Sequence, residues 1–128
     1  MPTVKADGHA AASIDELPSL YDGLIKLVRT ELDITAFGVQ VMDLPPDYAT
    51  QSHDESDSGQ QELYVGLRGD GAVVIGDTRL PVGEGRLVRV DAGVGRVLAS
   101  GPAGLRVLCV GSVPGGVYTP PAWTGEPG

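Results

Sequence analysis

Glycine and proline are the residues that most constrain the fold of this chain. Its 128 residues include 19 Gly and 10 Pro. Each such residue destabilises a helix interior by about 1 to 3 kcal/mol, so a bundle of long helices is excluded. Gly and Pro are also the residues that tight turns favour, which makes short strands joined by many turns the natural alternative. The composition therefore predicts an all-β protein.

Short runs with alternating polarity follow one another from residue 37 onward. The first predicted strand covers residues 37–44 and ends at two prolines, and the second covers residues 62–67 and ends at a glycine-rich turn. Further short strands are predicted at residues 72–75, 79–80, 87–90, 96–99 and 105–110. Short strands separated by regularly spaced turns are typical of a sandwich or barrel rather than of an α/β sheet.

One amphipathic helix is predicted before these strands. Its apolar residues recur with the i, i+3, i+4, i+7 spacing of a helix stripe. They are Leu17, Leu20, Tyr21, Leu24, Leu27 and Val28. Pro18 suits a first helical turn, and we expect the helix to end near Leu32 and Asp33.

The length fits one compact domain. A chain of 128 residues buries roughly two-thirds of its unfolded surface, which is enough for a single core. We expect a flexible arm at residues 1–12, one domain with a leading helix at residues 13–118, and an extended tail at residues 119–128. Trp123 in that tail is expected to pack on the barrel or in a subunit contact, because its large ring would otherwise face water.

The charge of the chain bears on its partners. A net charge of −8 disfavours nucleic acid and anionic membranes, because both need a cationic face. Cys109 is the single cysteine and cannot form an intramolecular disulfide, and no apolar run near the N-terminus is typical of a signal peptide or membrane span. We expect a cytoplasmic protein that acts on a small molecule or on another protein.

The polar segment before the second predicted strand resembles the first signature motif of the cupin superfamily, whose members are small β-barrels that often hold a metal ion. In that family the motif runs His-x-His, a short gap, Glu, six residues, Gly. Here His53-x-Glu55 is followed after six residues by Glu62 and after six more by Gly69. Glu55 therefore stands where the family has a metal-binding histidine.

The second signature motif has its spacing intact. In the family it runs Gly, five residues, Pro-x-Gly, two residues, His, three residues, Asn. Here Gly85 is followed at the same intervals by Asp91-x-Gly93, Arg96 and Ser100. The glycines match, whereas Arg96 replaces the metal-binding histidine.

The resemblance extends over about residues 37–110. It implies a cupin-like antiparallel β-barrel (jelly roll), here with one N-terminal amphipathic helix, and it implies that Glu62 and Arg96 both point into the barrel. A unit charge pair 4 Å apart interacts by about 4 kcal/mol at a surface-like dielectric, so Arg96 would repel a divalent ion roughly twice as strongly. We therefore expect Arg96 to pair with Glu62, to occupy the metal's place and to leave the protein without a bound cofactor.

Each candidate residue also has a purely structural explanation. An ion pair between Glu62 and Arg96 can stabilise a barrel without any further function. His53 and Glu55 lie in a polar run that is typical of a solvated loop.

Three more residues are candidates for the wall of a ligand cavity: Gln40, Met42 and Tyr64. Core packing is the simpler explanation for Met42 and Tyr64. Cys109 falls in an apolar strand, and we interpret it as a buried, inert thiol because no histidine neighbours it in sequence.

The function that we favour is the binding of a small, anionic organic molecule in a metal-free barrel cavity. Arg96 would bind the anion, because the guanidinium fork matches two oxygens, and Glu62 and His53 would act as catalytic proton carriers. If the protein is an enzyme, non-redox acid–base chemistry of the isomerase, epimerase, cyclase or lyase type follows from these groups.

Two alternatives stay open. One is a metal-dependent cupin oxygenase or isomerase that holds iron, manganese, zinc or nickel with His53, Glu55 and Glu62. The other is a non-catalytic, ligand-sensing or structural barrel that acts through its dimer. We expect a homodimer in each case, because the helix and the tail with Tyr118 and Trp123 leave apolar surface that one small domain does not cover.

Overall fold

The computed structural model describes residues 3–121 and is dominated by antiparallel strands. In chain order the strands are β1 (Val4–Ala6), β2 (His9–Ala11), β3 (Ser19–Leu20), β4 (Ile25–Lys26), β5 (Gly38–Leu44), β6 (Gln61–Ile75), β7 (Thr78–Pro81), β8 (Leu87–Val90) and β9 (Val97–Ser112). A 3-10 turn at Ile14–Glu16 and the short helix α1 at Val28–Leu32 complete the regular structure of this part of the chain. The all-β prediction is confirmed.

Seven strands form one sheet in which β9 has two long partners. The order is β3-β4-β5-β9-β6-β7, and β8 pairs with β6. β9 pairs with β5 on one side and with β6 on the other, always antiparallel. The predicted strands on either side of residues 68–71 are both parts of β6, and those on either side of residues 100–104 are both parts of β9. Two register shifts interrupt the β6–β9 pairing between residues 66 and 71, and such β-bulges bend a strand rather than end it.

The predicted N-terminal helix is wrong over most of its length. Only Val28–Leu32 is helical, whereas β3 and β4 form a hairpin whose second strand pairs with β5. The turn of this hairpin has positive φ at three successive residues, 21–23, and right-handed helices do not contain that conformation. Pairing with the edge of β5 gives this segment backbone hydrogen bonds that a helix would otherwise supply.

The N-terminal segment contains a second hairpin. β1 pairs with β2 in antiparallel register, and Gly8 in the turn has a φ of 82°. This pairing falls within the segment that we expected to be a flexible arm, and the boundaries at residues 12 and 118 stay predictions. Trp123 lies outside the described residues.

The hydrophobic core lies on one face of the long strands. Leu105, Val107 and Cys109 alternate along β9 and are buried, as the period of two in the sequence predicts. Tyr64 of β6 and Leu44 of β5 belong to the same cluster. Within residues 3–121, no helix is long and apolar enough to cross a membrane.

Candidate functional site

A cavity of about 180 Å³ lies against the three adjacent strands β5, β9 and β6. Two rows of residues on the same face of these strands form its floor: Gly38, Gly111 and Glu62 in one row, and Gln40, Cys109 and Tyr64 in the next. Residues two positions apart share a face of a strand, so both rows follow from the register of the sheet.

Two glycines in the floor leave room for side chains above it. A Cβ at Gly38 would lie 3.1 Å from the Tyr118 ring, and a Cβ at Gly111 would lie 2.6 Å from Gln60 Oε1. The side chains of Tyr118 and Gln60 therefore pack over this face of the sheet and form walls of the cavity. The sequence did not identify either as a cavity residue, because both lie outside the strands and have no motif spacing.

Six of the seven site residues predicted from the sequence line this cavity: His53, Glu55, Glu62, Tyr64, Gln40 and Met42. Their roles in binding or catalysis stay predictions. Arg96 is not a lining residue, and 0% of its side-chain surface is exposed. Direct contact between Arg96 and a bound anion, which the sequence led us to expect, therefore has no support in this geometry.

Glu62 and Arg96 face each other, as predicted. Arg96 Nη1 lies 3.4 Å from Glu62 Oε1, and Arg96 Nη2 donates to the backbone carbonyl of Asp91 at 2.8 Å. The Tyr64 hydroxyl donates to the same Glu62 oxygen at 2.8 Å. Arg96 Nε has no hydrogen-bond partner among residues 3–121, so the Glu62 carboxylate carries much of the compensation for this buried charge.

Two weakly acidic groups flank Glu62. Burial, together with the nearby Cys109 and Glu62, raises the pKa of the Tyr64 hydroxyl. Burial also raises the pKa of the Cys109 thiol well above its usual value, and the adjacent Glu62 carboxylate adds to that shift. Both groups therefore stay protonated at neutral pH, and Cys109 Sγ lies 3.5 Å from Glu62 Oε2 as a donor. The thiol is buried and protonated, which agrees with the interpretation of Cys109 as inert.

His53 and Glu55 reach the cavity from the loop before β6. The backbone N–H of His53 donates to the carbonyl of Arg96 at 3.1 Å, and the N–H of Arg96 donates back at 2.9 Å. The N–H of Glu55 donates to Ala92 at 2.7 Å. These bonds hold the polar loop against the connection between β8 and β9, so His53 and Glu55 lie beside Glu62 rather than in a free loop.

The ligand atoms of His53, Glu55 and Glu62 all lie within 4.8 Å of one another. His53 Nε2 is 3.5 Å from Glu55 Oε2, and the two side chains are 47% and 24% exposed. The Glu62 side chain is 13% exposed. The cluster thus runs from a carboxylate inside the protein to an imidazole in contact with solvent.

No protein-family model matches this sequence, and no curated protein matches it. The three-dimensional arrangement does have relatives among solved structures. A cupin protein from Bacteroides fragilis superposes with a TM-score of 0.71 at 16% sequence identity, over 91% of this chain and 94% of that one. The chain has the cupin fold.

Two further cupin-fold neighbours carry functional descriptions. A sugar phosphate isomerase of the cupin superfamily from Silicibacter pomeroyi aligns with a TM-score of 0.65 at 19% identity, over 86% of this chain and 76% of that one. A predicted oxalate decarboxylase from Thermotoga maritima aligns with a TM-score of 0.57 at 23% identity, over 70% and 76%. These likenesses concern the fold, because one fold hosts unrelated chemistries.

The cupin fold raises the question of a metal ion. His53, Glu55 and Glu62 offer one imidazole nitrogen and two carboxylates, a donor set that suits a divalent transition metal. At the position where the second cupin motif has a metal-binding histidine, this chain has Arg96, and its guanidinium contacts Glu62. The site therefore has donors for a metal and, in Arg96, a fixed positive charge that opposes one.

The pairing of Arg96 with Glu62 can be measured through stability. We expect Arg96→Leu alone to lower the free energy of unfolding by about 3 to 5 kcal/mol, because Glu62 is left as a buried charge without compensation. The double variant Arg96→Leu/Glu62→Leu should lose much less. Urea denaturation of both single variants and the double variant gives the coupling energy.

The exposed ion pair of Lys5 and Asp33, with 3.2 Å between its charged atoms, provides the matched control. A double-mutant cycle with Lys5→Gln and Asp33→Asn should give a coupling free energy of about 0 to 1 kcal/mol for this pair. If the losses at Arg96 and Glu62 simply add, the two side chains are not energetically coupled.

Proposed function

We propose that this cupin-fold protein binds a small organic molecule in its cavity without a metal ion, and that Glu62 and His53 exchange protons with it. We also propose that the strands close into a jelly-roll barrel around that cavity. The observation that carries the proposal is the Glu62 carboxylate, which lines the cavity while Arg96 and Tyr64 hold one of its oxygens. Reacting groups held in fixed positions lose little further freedom in the transition state.

Glu62 and His53 differ in solvent exposure, and this difference suits them to different roles in proton transfer. Glu62 is nearly buried and faces the cavity, so it is placed to take a proton from a bound molecule. His53 is half exposed and lies 3.5 Å from Glu55, so it is placed to exchange protons with solvent. Isomerases, epimerases, cyclases and lyases remove a proton from a bound molecule and deliver a proton to the same atom, to another atom or to a leaving group. The protein would then be a non-redox enzyme.

A metal-dependent oxygenase or isomerase is the second candidate function. It is favoured by the proximity of the His53, Glu55 and Glu62 ligand atoms, all within 4.8 Å. A divalent ion held there would supply Lewis-acid polarisation of a ligand oxygen. We rank this candidate second because Arg96 is already in contact with Glu62 and would have to tolerate the ion's charge.

Solvent deuterium exchange tests the acid–base proposal. In D₂O, the natural protein should catalyse incorporation of deuterium at the carbon next to the carbonyl of at least one member of a panel of small ketoses and keto acids, followed by proton NMR. Glu62→Gln should slow this exchange about 100-fold or more, since it keeps the shape of the side chain and removes the base. Exchange at an equal rate in Glu62→Gln would assign the base elsewhere. Ligand binding without exchange in the natural protein would favour a non-catalytic sensor.

Metal content separates the two candidate functions. Purified without chelators, the natural protein should carry clearly less than one equivalent of iron, manganese, zinc or nickel by elemental analysis. The double variant Glu55→His/Arg96→His should bind nickel or zinc stoichiometrically, because His53 and Glu62 would complete a shell of three histidines and one glutamate.

Two exposed positions supply the control for this variant. Glu84→His/Arg89→His adds the same number of histidines on the surface and should bind no more metal than the natural protein. Stoichiometric metal in the natural protein would promote the metal-dependent candidate. A well-folded Glu55→His/Arg96→His variant that binds neither nickel nor zinc would show that these positions do not converge on Glu62.

We also propose that the protein is a homodimer. Leu63 of β6 and Leu87 of β8 lie on the same face of the paired strands, and they are 38% and 66% exposed. Monomeric proteins rarely expose large apolar patches, so we expect a second subunit to cover these side chains. Light scattering at micromolar concentration should give twice the chain mass of 13.2 kDa, and Leu87→Glu should shift the protein toward the monomer. A mass of 13.2 kDa for the natural protein at every concentration would rule the dimer out.

A further inference from the structure

Arg29 is a buried cation in the wall of the same cavity. Only 5% of its surface is exposed, and it lies on the short helix α1, which packs against β5. Within residues 3–121, no other lining residue of this cavity carries a permanent positive charge. The cavity therefore contains an arginine, although not the one that the signature motifs point to.

An aromatic ring fixes the position of the Arg29 guanidinium. Arg29 Cζ lies 5.8 Å from the centroid of the Tyr118 ring, a distance at which the cation is attracted to the ring face. Tyr118 itself lies over Gly38 and lines the cavity. This cation–π contact favours a guanidinium positioned beside the Tyr118 ring before any ligand binds.

Arg29 and Glu62 reach the cavity from different elements of the fold. Tyr118 lies above Gly38 at the β5 end of the row that runs to Glu62, Arg29 contacts Tyr118 from α1, and Glu62 is on β6 with β9 between. Neighbouring strands are about 4.8 Å apart, so the backbones at the two ends of the row are separated by about 10 Å. A small molecule bound above the row would have Arg29 toward its β5 side and Glu62 toward its β6 side.

The charges in the site determine which anion fits. A guanidinium has five N–H donors, so a two-point contact with a ligand leaves donors for protein partners. One arginine near the acidic pair Glu55 and Glu62 suits a singly charged carboxylate better than a phosphate dianion. The cavity is also smaller than those that hold drug-sized ligands, which limits the ligand to a few carbons.

We propose that Arg29 binds the carboxylate of a small organic acid and holds the rest of that molecule toward Glu62. The inference rests on the proposed function, since it assumes that the cavity is the ligand site. It assigns the substrate class to the acids rather than to sugars or amines, and it gives the anion-binding role to Arg29 in place of Arg96.

Matched acids and amides test this assignment. The probes are 2-hydroxy and 2-keto acids of three to six carbons, each paired with its primary amide, and binding is measured by ligand-observed NMR. At least one acid should bind the natural protein about tenfold or more tightly than its amide, as a charge-assisted hydrogen bond requires. Arg29→Gln should remove this preference by weakening acid binding more than amide binding, and Arg29→Lys should retain part of the preference.

The arginine side-chain NMR signals of the natural protein supply a second readout. Arginine Nε–Hε NMR signals should show one resonance that shifts when the acid is added, and Arg29→Lys should lack that resonance. Arg79→Gln, on the exposed part of β7, is the control and should bind acids as the natural protein does.

The outcomes separate failure of the Arg29 assignment from failure of the cavity as a ligand site. Equal binding of acids and amides, or an unchanged preference in Arg29→Gln, would overturn the role of Arg29 and leave the cavity as a ligand site. Absence of binding by every acid and every amide would overturn the proposed function together with this inference.

Discussion

The site depends on one buried ion pair. Arg96 has no exposed side-chain surface, and a guanidinium in that position needs a carboxylate beside it because isolated buried charges are very costly. Glu62 supplies the carboxylate, and Tyr64 and Cys109 donate to its two oxygens. The backbone of Arg96 in turn pairs with that of His53, which brings the polar loop to the cavity. Removing the pair would therefore disturb a strand, a loop and the cavity wall together.

The same pair directs the chemistry that we propose. Where a typical cupin has a histidine ligand, this chain has a cation that contacts the glutamate of the first motif. Arg96 and Tyr64 orient the Glu62 carboxylate, which faces the cavity. A fixed carboxylate next to a half-exposed imidazole is suited to moving protons. The buried cation Arg29 gives the cavity a second polar group of opposite charge.

The fold and the clustering of the site could be predicted, because both depend on spacing along strands. Residues two apart share a face, so the motif spacing placed Glu62 and Tyr64 together, and the spacing of the second motif brought Arg96 to the same region. The helix prediction failed because the apolar spacing of residues 17–28 also suits a tight hairpin once residues 21–23 adopt positive φ. Arg29 could not be predicted, because its contact with Tyr118 joins residues far apart in sequence and no pattern records such a contact.

The position of Arg96 in the presence of available metal tests the central claim most directly. The measurement is anomalous X-ray diffraction from crystals of the natural protein soaked in zinc or manganese, with data collected at the absorption edge of the ion where possible. Our account predicts that Arg96 remains in contact with Glu62, with no anomalous peak among His53, Glu55 and Glu62. A strong peak bonded to these three side chains, with Arg96 displaced from Glu62, would contradict it.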